Sequence, residues 1–170
     1  MKLNKASRLM ALFTMGLFVN SSFAVEPQIK ENALVIPKAN DQHSISTKRV
    51  TARLTQSHYE KFKLDDEFAG KIFNRYIDFL DPAHNTFLQS DVEEMRAKYG
   101  TKLDDQLYAG ELSAAFDMYD LMTKRRYERY KYALSLLDKE PDLKGNDQIE
   151  IDREKVPFPT SEEEVNKLWE

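Results

Sequence analysis

One segment limits the choice of fold more than any other. From Asp66 to Leu80, at about 100° per residue, Phe68, Ala69, Ile72, Phe73, Tyr76, Ile77, Phe79 and Leu80 share one half of a helical wheel. Glu67, Lys71, Asn74, Arg75 and Asp78 take the other half. Burying six or so large apolar side chains at about 1.5–3 kcal/mol each is worth roughly 10–18 kcal/mol, an upper bound because unfolded chains are partly collapsed. Such a helix requires neighbours. Leu64-Asp65-Asp66-Glu67 supplies a carboxylate at the cap and two more in the first turn. Asp81-Pro82 ends the helix, since the residue before proline is biased out of the helical region.

The same periodicity supplies those neighbours. Val50, Leu54, His58 and Phe62 recur every four residues and predict a helix from about Ser44 to Phe62, with His58 hydrogen-bonded on its apolar side. Ser90 and Glu93 form a capping box for a short helix that turns Val92 and Met95 inward and closes at Gly100. Leu103 and Leu107 predict another, stopped by Gly110. The longest element runs from Glu111 to about Asp138. Leu112, Phe116, Tyr119, Thr123, Tyr127, Tyr130, Leu134 and Leu137 project within about 80° of one another and mark its core-facing stripe. Met118, Leu121, Met122, Tyr132 and Leu136 widen its apolar surface, and Pro141 and Gly145 end it.

Asp147 to Glu154 alternates apolar and polar side chains around Ile149 and Ile151, which predicts a short extended strap. Behind Pro157 and Pro159, Thr160 with Glu163 or Ser161 with Glu164 forms another capping box. Three glutamates favour the positive end of the new helix dipole, and Val165, Leu168 and Trp169 open an apolar stripe. About two turns ending on an unpaired Trp are marginal in water, so the sequence reads as the front part of a longer protein. The expected architecture is all-α. It is an irregular bundle of about five to six helices, with one long helix near 111–138 and a strap near 147–154.

The first residues read as a secretory signal. Lys2, Lys5 and Arg8 make a positive region with no acid before Glu26, and Leu9 to Val19 is apolar but short of the ~20 residues that span a bilayer. Ser22-Phe23-Ala24 places cleavage after Ala24. The division that follows is 1–24 signal peptide, 25–41 extended lead-in around Pro27 and Pro37, and 42–170 a helical domain truncated at its C-terminal end. Removing the signal takes the formal charge from −4 to about −7, a balance that disfavours nucleic acid as a partner. The chain has no Cys, so neither disulfides nor thiolate metal sites hold it together. Export to the periplasm is the expected location, with at most peripheral attachment to the inner membrane and no transmembrane segment once the signal is removed.

Chemistry-bearing motifs are sparse. Lys124-Arg125-Arg126 with Tyr127, Arg129, Tyr130 and Lys131 mixes cations and aromatics as single-strand binders do, but these cations spread around most of the wheel. Asp120 and Glu128 stand within helical pairing distance of Lys124 and Lys131, which favours a solvated, ion-paired helix with buried tyrosine rings. His43, His58 and His84 lack zinc-ligand spacing; His84 near Asp81 is a weak metal candidate in what reads first as a turn. Asp65-Asp66-Glu67 and Asp104-Asp105 lack calcium-loop spacing and read as helix-start charges. None of Ser44, Ser46, Ser57, Ser90, Ser113, Ser135 and Ser161 sits in a Gly-rich elbow or beside an evident base. The residues therefore nominate no catalytic, metal or cofactor site, and no cofactor is expected.

Several segments carry a family resemblance. Arg49-Val50-Thr51-Ala52-Arg53-Leu54, Ser57-His58-Tyr59, Lys71-Ile72-Phe73-Asn74-Arg75-Tyr76 and the run from Lys124 to Leu134 resemble the N-terminal helical region of the tail-specific, or carboxyl-terminal-processing, proteases. Gly145-Asn146-Asp147, Asp152-Arg153, Pro157 and Leu168-Trp169 continue the similarity over nearly the whole stretch after Ala24. The resemblance implies a periplasmic serine endopeptidase, a hydrolase that trims or degrades exported proteins from apolar C-terminal tails. In that family a PDZ domain captures the tail and a Ser nucleophile works with a Lys general base, which must be desolvated enough to be neutral. Those parts lie beyond Glu170, and no Ser or Lys of this chain matches them. The resemblance also implies a scaffolding wall of a bowl-like enzyme and contact with a helical-repeat lipoprotein adaptor. Two other readings stay open: a free-standing periplasmic helical adaptor with a partner groove around Met118, Tyr132 and Leu136, and a metal-dependent enzyme using His84.

Overall fold

The computed structural model describes residues 36–138, 144–146 and 148–170. Ala24, the signal segment and most of the lead-in lie outside those residues, as do Pro141 and Asp147. Six helices account for the described architecture, and it contains no strand. They are α1 (Asp41–Ser57), α2 (Asp66–Leu80), α3 (Gln89–Tyr99), α4 (Leu103–Ala109), α5 (Ser113–Leu136) and α6 (Glu162–Trp169). The short α4 packs against both α1 and α2, α2 also meets α3 and α5, and α5 carries α6.

The core forms where α2 demanded it. Ala69, Phe73, Ile77 and Leu80 are buried against Val92 and Tyr99 of α3, Leu103 of α4, and Ala114, Met118 and Met122 of α5. Phe87, from the turn after α2, completes the cluster. Asp65 caps α2 by accepting the Phe68 N–H at 3.2 Å. That hydrogen bond holds the Asp65 carboxyl below its ordinary range.

Three expected boundaries move for local reasons. The first helix begins at Asp41 and ends at Ser57, because Asn40 and His43 form a reciprocal capping box. His58 is accordingly no core residue: it is the exposed C-cap, its ring paired with the Glu60 carbonyl. The third helix starts at Gln89, ahead of Ser90, and the N–H that needs capping is Leu88, taken by the Asp91 carboxylate at 3.0 Å. At Gly110 φ is +73°, and a Cβ there would stand 2.7–2.8 Å from Ser44 and Lys48 of α1. Glycine thus ends α4 and lets α1 lie against it.

The long helix turns a different face inward than expected. Its buried side chains are Ala114, Met118, Met122 and Arg129. Tyr119, Tyr130 and Leu137, placed on the core stripe by periodicity, are exposed. The neighbours set the face: α2 meets the first half of α5 through Tyr76, α3 reaches Asp117 and Arg125 from Tyr99 and Asp91, and α6 packs on the second half.

Candidate functional site

Four places could carry function. The first is a charged seam between the second half of α5, α3 and α6. Arg125 grips Asp91 with two parallel hydrogen bonds of 2.8 Å, from Nε and Nη2, and its Nη1 reaches Glu128 at 3.0 Å and Glu162 at 3.3 Å. One turn on, the buried Arg129 donates to Asn166 Oδ1 at 2.6 Å and to the Glu162 carboxylate. The Asp91 carboxylate holds the Arg125 guanidinium above its already high ordinary value. Bidentate pairs of this kind fix orientation as well as adding energy. The seam is therefore a latch that sets where α6 lies. Tyr132 extends it by donating to Glu170 at 2.6 Å.

Trp169 is not left over. Its indole N–H donates to the Asn85 carbonyl at 2.8 Å, and its ring meets Tyr130 edge-on at 6.1 Å. The two-turn helix α6 is stable through docking, which removes the reason for calling it marginal. Ser161 accepts the Glu164 N–H at 3.2 Å while Glu164 accepts the Thr160 N–H at 2.7 Å and its hydroxyl at 3.0 Å.

The second place is the corner between α2 and α3. Asp81 is buried and accepts backbone N–H groups from Asn85, Thr86 and Phe87 at 2.9–3.1 Å, which folds the turn around one carboxylate. His84, at φ +47°, stacks on Phe158 at 3.8 Å, and its Nδ1 bonds the Val156 carbonyl. Its Nε2 stands 3.7 Å from Asp78. Arg153 adds a 3.0 Å bond to the Ala83 carbonyl, and the Gln89 N–H donates to Pro159 at 2.7 Å. His84 is a clamp for the chain entering α6. Among the described residues no group of three or more His, Asp or Glu could hold a metal ion. The described part of the expected strap has no strand partner; Ile149 and Ile151 are exposed, and attachment begins at Arg153.

The third place is the basic run. It does not form a solvated helix face throughout, because Arg125 and Arg129 are taken up by the seam. Lys124 pairs with Asp120 at 2.8 Å as its spacing implies, and Lys131 lies over the Tyr127 ring at 5.5 Å. The described serines make only caps or local contacts, none to a His, Lys or carboxylate base. The grouping of Met118 with Tyr132 and Leu136 as one groove also fails, since Met118 is buried in the core.

The fourth place was not legible in advance: an apolar groove of about 320 Å³ lined by Val50 and Leu54 of α1, Phe62 and Leu64 of the segment before α2, Phe68 and Ile72 of α2, Leu107 of α4 and Leu112. It continues over Ile72 onto an open strip formed by Tyr76 and Phe79.

The profile described as "Tail specific protease N-terminal domain" matches residues 50–170. That range takes in all of these places, the seam, the corner and the groove. A tail-specific protease of Haemophilus influenzae (strain ATCC 51907 / DSM 11121 / KW20 / Rd) is 64% identical over 149 residues, a region covering 88% of this chain and 21% of that protein. The all-α scaffold is thus a protease-family domain; the chain belongs to the tail-specific protease family, as a relative of its N-terminal domain. It spans about a fifth of the length of the curated relative it matches.

Proposed function

We propose that this chain is the exported N-terminal helical part of a C-terminal-processing serine endopeptidase, serving as scaffold and partner-binding surface while bond cleavage takes place elsewhere. The observation that carries the reading is the 64% identity to a tail-specific protease within the stretch matched by that family's N-terminal domain. The latch supports it. A helix seated by Arg125, Arg129 and Trp169 leaves the domain in a fixed direction, as a wall that positions later segments requires. The PDZ capture of apolar tails and the Ser/Lys pair belong, in this reading, to polypeptide beyond Glu170. So does the choice of protein substrates. A helical-repeat lipoprotein adaptor is the partner class assigned to this stretch, and the periplasm its compartment.

The test is to express residues 25–170 and assay cleavage of a peptide ending in apolar residues, expecting no turnover. Serine-hydrolase activity from this stretch alone would defeat the scaffold reading. Mass spectrometry of the periplasmic fraction should find a mature N-terminus at Val25, following cleavage after Ala24. A free-standing helical adaptor is the second reading, favoured by the open groove between α1 and α2. Reading the coding sequence past Glu170 separates the two: an immediate stop codon favours the adaptor, a PDZ-like segment and a later Ser/Lys pair the protease.

A further inference from the structure

The segment that carries α6 sits on the domain as a ligand sits on a receptor. Arg153 bonds the Ala83 carbonyl at 3.0 Å, the Pro159 carbonyl accepts the Gln89 N–H at 2.7 Å, Asn166 takes Arg129 at 2.6 Å and Trp169 donates to Asn85 at 2.8 Å. Phe158 packs against the core cluster, and Val165 is 1% exposed. Every partner in these contacts precedes the end of α5 at Leu136.

The chain leading into Arg153 is the opposite. Gln148 to Asp152 are exposed throughout, Ile149 by 68% and Ile151 by 91%. Among the described residues, their only hydrogen bond runs from the Asp152 N–H to the Glu150 carboxylate at 3.1 Å. A channel of about 590 Å³ separates Ile151 and Asp152 from Arg75, Asp78 and Phe79 of α2, so this strap stands clear of the bundle. An endopeptidase needs several consecutive residues laid extended in its cleft, which a helix or a packed loop yields only after local unfolding. Exposed chain with nothing to give up is where nicking concentrates. The loop from 58 to 64 also lies outside the helices, but Phe62 stacks on Phe68 at 4.8 Å and meets His58 edge-on at 5.8 Å.

We propose that Gln148–Asp152 is a site of limited proteolysis, and that the domain cut there persists as two chains held together by the seam and the corner. Hydrolysis of the Glu150–Ile151 bond adds water across its C–N bond and leaves a carboxylate on Glu150 and an ammonium on Ile151. Both charges form at exposed residues, so neither has to be buried. Covalent continuity at the strap then serves only to keep α6 close to its seat, as a linker does. This holds whether the chain scaffolds a protease or acts alone.

Trp169 is the one tryptophan of the chain, so its emission follows the docking of α6. Residues 25–170 are treated briefly with thermolysin, a metalloendopeptidase that cuts before large apolar residues, and the reaction is stopped with a chelator. Downstream of Asp41, mass spectrometry should find the first new N-terminus at Ile149 or Ile151. The pieces should separate on a denaturing gel yet leave a native size-exclusion column together, with Trp169 emission as in the uncut chain. Dilution should shift the emission of the cut chain to the red and leave the uncut chain unchanged, because only the cut pair associates by mass action. Arg129→Ala should move that shift to a concentration at least about tenfold higher. Ile149→Pro with Ile151→Pro, at two exposed positions, should remove the cut. No cut in the unaltered chain, or a first cut elsewhere downstream of Asp41, overturns the site. Pieces that part on the native column, emission that shifts at once, or a dilution shift that Arg129→Ala leaves in place overturns the two-chain unit.

Discussion

The two halves of α5 are continuous in backbone and opposite in the forces that hold them. From Ser113 to Met122 the helix is seated by Ala114, Met118 and Met122 in a dry core shared with α2, α3 and α4. From Lys124 to Leu136 it is seated by Arg125 and Arg129, which draw Asp91, Glu162 and Asn166 onto it. Apolar burial is tolerant of direction and depends on volume. The guanidinium latch depends on geometry and on both partners being present. One helix is thereby an anchor at one end and an aligned arm at the other.

Cutting into the apolar half should have the largest effect. Met118→Ala, at a side chain 1% exposed, is expected to cost about 2–5 kcal/mol in denaturant unfolding, because the cavity it leaves cannot fully collapse. Protection from hydrogen exchange should fall across α2, α3 and α5 together. Arg129→Ala should cost about 1–3 kcal/mol, less than a fully buried pair because Glu162 remains half exposed. Its loss should stay local, with exchange rising in Glu162–Trp169 while Ser113–Met122 keeps its protection. If both variants unfold the chain uniformly, the division of α5 into two regimes is wrong.

Periodicity found α2 to the residue, because its apolar stripe is long and its ends carry strong stop signals at Asp65 and Asp81-Pro82. It misjudged the inward face of α5. The stripe that packs runs Ala114, Met118, Met122, Arg125, Arg129, and its last two members are charged, so a count of apolar residues points toward Tyr119, Tyr127 and Tyr130 instead. The i,i+4 spacing of Arg125 and Arg129 was visible; their carboxylate partners lie some 34 and 33 positions away and could be paired only in three dimensions. Trp169 escaped for the same reason. The sequence around Asp81 and His84 predicts a turn, which they form, but nothing local shows that the turn closes around a buried carboxylate. The groove between α1 and α2 was hidden because Val50, Leu54 and Phe62 count as core on a wheel.

Smaller effects sharpen the contrast. A double-mutant cycle on Asp91 and Arg125 should return a coupling of about 0.5–3 kcal/mol that shrinks with added salt, whereas the cost of Met118→Ala should not. Acid should act on both regions modestly. Asp117 is held below its ordinary range by the Tyr99 hydroxyl and Lys98, and Glu164 by the Thr160 N–H. A depressed folded value stabilises fully above the unfolded carboxylate range and is lost as pH falls through the folded one. The melting temperature should therefore drop on acidification below that range, and Asp117→Asn should flatten the drop.

The bond from Trp169 to Asn85 joins positions 84 apart in sequence. A chain synthesised from its N-terminus presents α1 to α5 before the indole arrives. Closing so wide a loop comes late because its entropy cost is met by few early contacts. Until then the Asn85 carbonyl at the corner lacks its indole partner, while Asp91 of α3 already has Arg125 of α5. The turn that carries Trp169 is thus a late-closing clasp on the corner between α2 and α3.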